Sequence, residues 1–178
     1  ILHKLHLIGT QQYDFIQYAR KNRIHHGNAI KGLSIADNSV SVLYSSHMIE
    51  HLDCAGADSF VVEAFRLLKP GGIIRIAVPD LKKMVSKYQE FGDADDFVKL
   101  THMCVPSPKT LAQRLRFIFV GPRHHQWMYD GNSLAKLLRE MEFKNVEICK
   151  NGKTNITDSD ALNLYEREEQ SVYVEGIN

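Results

Sequence analysis

Apolar and polar positions along this chain fall into segments of two periods. Val40 to Tyr44 is a β-rich run that ends in the small polar pair Ser45 and Ser46, and Ile73 to Val78 is a second apolar strand. Between them Ala57, Phe60, Val61, Ala64, Leu67 and Leu68 recur at helical spacing, which predicts an amphipathic helix over residues 57–68. Lys69-Pro70-Gly71-Gly72 reads as a stop and turn before the second strand. A strand, a helix and a strand within about forty residues make a βαβ unit and predict a parallel sheet.

The flanking segments are shorter. Leu2 to Ile8 reads as a short strand ending at Gly9-Thr10, and Phe15 to Ala19 as either a second short strand or a helical turn. Arg23 to His26 reads as a strand leading into a turn at Gly27-Asn28-Ala29. Asp80 is a natural N-cap for a helix with Leu81, Met84, Val85, Tyr88 and Phe91 on its apolar face. Residues 93–120 carry Pro106 and Pro108, with a helix predicted from Thr110 to Phe119; they read as an insertion of the kind that forms a lid. Asn132 is expected to cap a helix with Leu134, Leu137, Leu138 and Met141 on one face. Val146–Cys149 and Ser171–Glu175 are predicted strands, paired as a hairpin across a long polar connection. Strand–helix units followed by a strand pair predict a doubly wound α/β sheet. At 178 residues one domain is expected, with a lid over about 93–130.

In such sheets ligands sit at the carboxyl ends of the strands. Here those ends carry Ser45, Ser46, His47, Glu50, His51, Pro79 and Asp80. Composition narrows the partners. The chain is 44% hydrophobic and 24% charged, as a soluble globule is, and its net charge of +1 gives no global basic surface for nucleic acid or a membrane. No apolar run approaches the ~20 residues of a membrane span, and no signal peptide is expected. Three well-separated cysteines without a C-x-x-C pair suggest neither a disulfide framework nor a zinc ribbon and predict a reducing, cytoplasmic setting. Nine histidines is high for this length.

Several of them fall in pairs, His25/His26, His47/His51 and His124/His125. On a helix, His47-x-x-Glu50-His51 sets the two imidazoles four apart on one face. That spacing can hold a divalent metal, with His125 as a further ligand. The same letters match a peptidase motif that demands a different fold. The simplest reading is structural, with His51 bonded to backbone at the base of a pocket, and no metal is assigned. Arg123-His124-His125-Gln126-Trp127-Met128-Tyr129-Asp130 either closes over an acceptor, with His125 as a base and Tyr129 as an orienting hydroxyl, or anchors the insertion. Lys82, Lys83 and Lys87 read as a solvated helix face.

Together these motifs resemble the class I S-adenosylmethionine-dependent methyltransferases, in particular the type 11 bacterial group. The resemblance rests on Lys4-Leu5-His6-Leu7 before Gly9, Gly27-Asn28-Ala29, Asp37-Asn38-Ser39-Val40, Ser46-His47-Met48-Ile49-Glu50-His51-Leu52, Leu68-Lys69-Pro70-Gly71-Gly72 and Val78-Pro79-Asp80-Leu81. His125-Gln126-Trp127-Met128-Tyr129-Asp130 and Ser171-Val172-Tyr173-Val174-Glu175 extend it. It implies a Rossmann-like fold of seven strands with helices on both faces: a doubly wound, mostly parallel sheet with an antiparallel C-terminal strand. The N-terminal half would be shortened and a helical insertion would lie near 93–120. It implies S-adenosylmethionine as cofactor, at Leu7, Gly9, Thr10, Asn28, Ala29, Ser45 and Ser46. It sets His47, His51 and His125 around the methyl acceptor, expected to be a small molecule or saccharide. The first glycine motif is degenerate, with Gly9 alone, and Asn28 stands in place of an acid beside the adenine. If Phe15–Ala19 is the second strand, Ala19 stands where an acid normally meets the ribose. Two further readings follow: the same scaffold kept as a binding or interaction module, and a metal-dependent hydrolase.

Overall fold

The computed structural model describes residues 10–25, 27–104, 110–111 and 124–178, with the side chains of residues 10–12 and 91 left aside. The strand read at Leu2–Ile8 and nearly all of the helix read at Thr110–Phe119 lie outside the described residues, as do Pro106, Pro108, Arg123 and His26. The first element is a helix, α1 (Thr10–Lys21), with Arg20 and Lys21 in its last turn, where cations complement the helix dipole. It ends as Asn22 N–H bonds Tyr18 O at 2.9 Å and Arg23 enters the left-handed region at φ 54°. Phe15–Ala19 is therefore helical, so Ala19 does not stand at a strand end beside a ribose. The strand expected at Arg23–His26 does not form over the described residues 23–25.

β1 (Val40–Ser46) follows, then a single 3-10 turn (Ile49–His51). α2 (Cys54–Leu67) is capped by Asp53, whose carboxylate accepts from Gly56 N at 2.8 Å. β2 (Leu68–Pro79) begins where α2 ends. The Lys69–Gly72 stretch lies inside this strand and does not precede it. Gly71 takes φ 79°, and the ladder with β1 breaks register between the Val40↔Leu68 and Val42↔Ile73 pairs before running regularly to Ser46↔Ala77. A glycine at positive φ absorbs the irregularity without ending the strand.

Asp80 caps α3 (Leu81–Phe91) as expected, accepting from Lys82 N at 2.9 Å. Gly92 closes that helix in the left-handed region, and α4 (Ala94–Thr101) starts on the Asp93 cap. α5 (Gly131–Glu140) is capped by Asp130 and not by Asn132. Asp130 accepts from Ser133 N at 2.7 Å while the Ser133 hydroxyl accepts from Asp130 N at 2.9 Å, a reciprocal box that satisfies two amides at once. β3 (Lys144–Cys149) and β4 (Ser171–Ile177) complete the elements.

The sheet order is β1-β2-β4-β3. β1 and β2 are parallel, joined by α2. β4 runs antiparallel to both of its neighbours, so the expected terminal strand pair forms across its long connection. This mixed sheet with its helices is an α/β Rossmann-like arrangement. The strand alternation sorts the two faces. Ile74, Ile76, Val78, Val172 and Val174 share a core with α2 (Phe60, Val61, Ala64) and α5 (Leu134, Leu138). The alternate positions carry Arg75, Ala77, Tyr173 and Glu175, and the strap between β3 and β4 laps them. Arg75 Nη1 bonds Glu175 Oε1 at 2.6 Å and Lys153 O at 3.0 Å, and Asn155 N bonds Glu175 Oε2 at 2.8 Å. No helix among the described residues is long and apolar enough to cross a membrane.

Candidate active site

The parallel strands β1 and β2 end side by side, and the chain leaves β1 through His47. Its backbone N–H bonds Ala77 O at 2.9 Å, extending the ladder one residue, and its φ of 48° then turns the chain away. That left-handed conformation is uncommon outside glycine, and here the side chain is anchored on both nitrogens. Arg167 Nη1 donates to His47 Nδ1 at 3.3 Å. With Nδ1 accepting, Nε2–H donates to Ser171 Oγ at 3.0 Å. His47 and His51 therefore do not sit on one helical face; His47 precedes the short turn that carries Glu50 and His51.

Glu50 is buried, 1% exposed. Its backbone oxygen accepts from Gln126 N at 2.7 Å and Trp127 N at 3.2 Å, and the Gln126 side chain donates to His51 O at 2.6 Å. These bonds lay residues 124–127 on the turn and bring His125 over the Glu50 carboxylate. His125 Nε2 lies 3.9 Å and His47 Nδ1 3.4 Å from Glu50 Oε1. Neither is a hydrogen bond, and both carboxylate oxygens lack one. The His51 ring stands edge-on to His125 at 5.0 Å, and His51 Nδ1 bonds His124 O at 3.1 Å. His102, at the end of α4, places its ring 5.4 Å from that of His125 and accepts the His125 N–H on its carbonyl at 3.1 Å. Burial pushes the His125 imidazole below its ordinary pKa, with the Glu50 charge opposing.

A cavity of about 320 Å³ opens over this group, lined by His47, His51, His102 and His125. It lies at the carboxyl ends of β1 and β2, where an α/β sheet places its ligands. The three histidines singled out from the sequence thus meet in one place. Lys83, read as part of a solvated face, lines the same cavity and donates to Glu168 O at 2.7 Å and Ser171 O at 2.8 Å. Lys87 and Arg167 line it too, whereas Lys82 is exposed to solvent. Tyr129 is an anchor and not an orienting hydroxyl. It is buried in the core cluster, its carbonyl accepts Leu81 N at 2.8 Å, and burial pushes its phenol up to about 12. Trp127 is 47% exposed. His102 and Arg167 had no signal in the sequence beyond their residue types.

Of the residues expected at the cofactor, Leu7 and Gly9 lie outside the described residues, and Thr10 opens α1. Asn28 is exposed, with Oδ1 accepting from Ile30 N at 3.1 Å, and Ala29 packs at the edge of the core. Neither lines the histidine cavity. Ser46 Oγ donates to the Glu166 carboxylate, which Tyr44 OH also reaches at 3.0 Å; these bonds, Ser46 first, hold the Glu166 pKa below the usual carboxylate value. Ser45 Oγ is buried without a partner.

Residues 10–76 match the family model described as "Methyltransferase domain". No curated protein matches the chain. Among solved structures, it is similar to an S-adenosylmethionine-dependent methyltransferase from Archaeoglobus fulgidus at 16% identity and a TM-score of 0.48, over 86% of this chain and 66% of that one. It is also similar to one from Thermotoga maritima, described as a possible histamine N-methyltransferase, at 16% identity and a TM-score of 0.47, over 85% of this chain and 61% of that one. The chain thus spans less than two-thirds of the length of either.

S-adenosylmethionine is the cofactor that the resemblance implies, and two of the residues expected to hold it keep polar groups in reserve. Ser45 offers a buried hydroxyl with its bonding capacity unused, and Asn28 offers an exposed amide.

Proposed function

We propose that this chain transfers the methyl group of S-adenosylmethionine to a small-molecule or saccharide acceptor. The observation that carries this reading is the ring of imidazoles around a cavity at the carboxyl ends of β1 and β2, in a chain whose residues 10–76 match a methyltransferase domain. Bound at this edge, the cofactor supplies a methyl carbon already activated by its sulfonium. The chain's own task is then to hold, orient and deprotonate. Ser45 and Asn28, with Leu7, Gly9, Thr10, Ala29 and Ser46, would hold the adenosyl and methionine parts. His47, His51 and His125 surround the acceptor, and an imidazole lone pair among them takes the proton that a hydroxyl loses on methylation. Holding the two reactants in line supplies several kcal/mol of the barrier reduction.

The described parts of the 93–130 insertion act as a lid on this cavity, because α4 and the residue after it bring in Leu100 and His102 and residues 124–127 bring in His125. The near-neutral net charge supports an acceptor other than nucleic acid. The free cysteines Cys54, Cys104 and Cys149 support a reducing, cytoplasmic setting.

The test is transfer of a labelled methyl group from S-adenosylmethionine to a panel of hydroxylated small molecules and saccharides. The reading expects label in an acceptor, strongly reduced by His47→Ala. A chain that binds the cofactor yet labels nothing across the panel, or labels it equally well without His47, counts against it.

A further inference from the structure

The Glu50 carboxylate presents an unusual balance of charge and bonding. It is 1% exposed, and neither of its oxygens accepts a hydrogen bond. An ionised carboxylate so placed is costly unless a cation or donors compensate it. No Lys or Arg forms an ion pair with it among the described residues, where its ion-pair neighbours are His47 and His125. His47 faces it with Nδ1, the atom that already accepts from Arg167.

We propose that Glu50, His51 and His125 bind a divalent transition-metal ion at the floor of the cavity. One ligand atom from each of the three lies within 4.8 Å of the other two, and the Glu50–His125 pair is at 3.9 Å. Ligands on one ion, with bonds of about 2.0–2.2 Å, sit about 3–4 Å apart, so a small closure of the rings completes the set. The outer contacts orient the ligands. His51 Nδ1 bonds His124 O at 3.1 Å, which puts the proton on Nδ1 and leaves Nε2 free for the metal. Glu50 and His125 are held together by the backbone bonds from Gln126 and Trp127 to Glu50 O.

Two imidazoles and one carboxylate suit Zn²⁺, Fe²⁺, Co²⁺ or Mn²⁺ and leave coordination positions open. Those positions face the cavity, because His51 and His125 line it while Glu50 lies beneath. In the loaded chain the lone pairs of His51 and His125 belong to the ion. His47, with Nδ1 accepting from Arg167 and Nε2–H donating to Ser171, stays outside the set. The inference does not depend on methyl transfer, since metal binding is measured without S-adenosylmethionine.

The experiment titrates the full chain, stripped with EDTA, with Zn²⁺ by calorimetry and with Co²⁺ by visible absorption. The expected result is one equivalent bound, with a Co²⁺ spectrum showing nitrogen and oxygen ligands. Glu50→Gln and His51→Ala should each weaken binding at least about tenfold, given that outer partners alone are worth about 10–100-fold. His51 is exposed, so its variant tests the site even if Glu50→Gln fails to fold. Absence of a one-to-one site at millimolar Zn²⁺ overturns the proposal. So does binding that survives His51→Ala, which would trace to the other histidines. A chain that binds metal and no S-adenosylhomocysteine would remove the methyltransferase reading and leave this one standing.

Discussion

His47 Nε2 sits 3.0 Å from Ser171 Oγ, tying the exit of β1 to the first residue of β4 across the intervening strand β2. Ser171 is buried, 1% exposed, so the bond fixes the orientation of an imidazole that faces the cavity. Ser171→Ala should leave the His47 donor unpaired and cost about 1–3 kcal/mol of stability. It should also lower the transfer rate more than it changes cofactor affinity. Denaturant unfolding together with steady-state kinetics checks both, and an unchanged rate would show that the bond does not position His47.

Arg75 and Glu175 form an ion pair beneath the strap, with Arg75 0% and Glu175 1% exposed. Arg75 also stacks its guanidinium 4.9 Å from the centre of the Tyr173 ring. Removing one partner strands the other charge, so Arg75→Met should destabilise by about 3–5 kcal/mol. Replacing both with apolar residues of similar size should recover much of the loss. Chemical denaturation of the two single variants and the double variant decides this; additive losses would contradict it.

Elements set by local pattern were legible in the sequence. β1, α2 and α3 followed from the Val40–Tyr44 run, the Ala57–Leu68 spacing, whose last residue instead opens β2, and the Asp80 cap, because each rests on neighbours within a few positions. The Lys69–Gly72 stretch misled for a physical reason: Gly71 resolves its kink within β2, which only the ladder with β1 reveals. The α5 cap was misplaced because Asp130 and Asn132 are both good caps, and the Ser133 partner chose between them. His47, His51 and His125 were visible as a chemical set. Arg167 and His102 were not, since each reaches the cavity only through tertiary placement of the strap and of α4. Lys83 was read as solvated because charge on a helix face carries no sign of the carbonyls at Glu168 and Ser171 that take it.

Acid should loosen the contact between α2 and the 33–37 loop. Arg66, and then the Leu33 amide at 2.7 Å, hold the Glu63 carboxyl down to about 2, against 4.5 in its unperturbed state. The folded chain then binds fewer protons at this site than the unfolded chain does. The contribution is fully present above pH 4.5 and is lost as pH falls toward 2. Melting temperatures across that window should fall more steeply for the parent chain than for Glu63→Gln. Parallel curves would show that Glu63 makes no such contribution.

The cysteines should differ in reactivity. Cys54 and Cys104 are exposed, whereas burial, then the Glu175 charge, pushes the Cys149 thiol up to about 11. The thiolate is the reacting form. Alkylation near pH 8 followed by peptide mass analysis should therefore label Cys54 and Cys104 first. Early labelling of Cys149 would contradict the burial of that edge of β3.

The most direct measurement of the central claim is calorimetric titration of the full chain with S-adenosylhomocysteine. The account predicts saturable binding of one equivalent, weakened by Ser45→Ala. No binding at millimolar ligand would contradict it and leave the scaffold without the proposed methyl transfer.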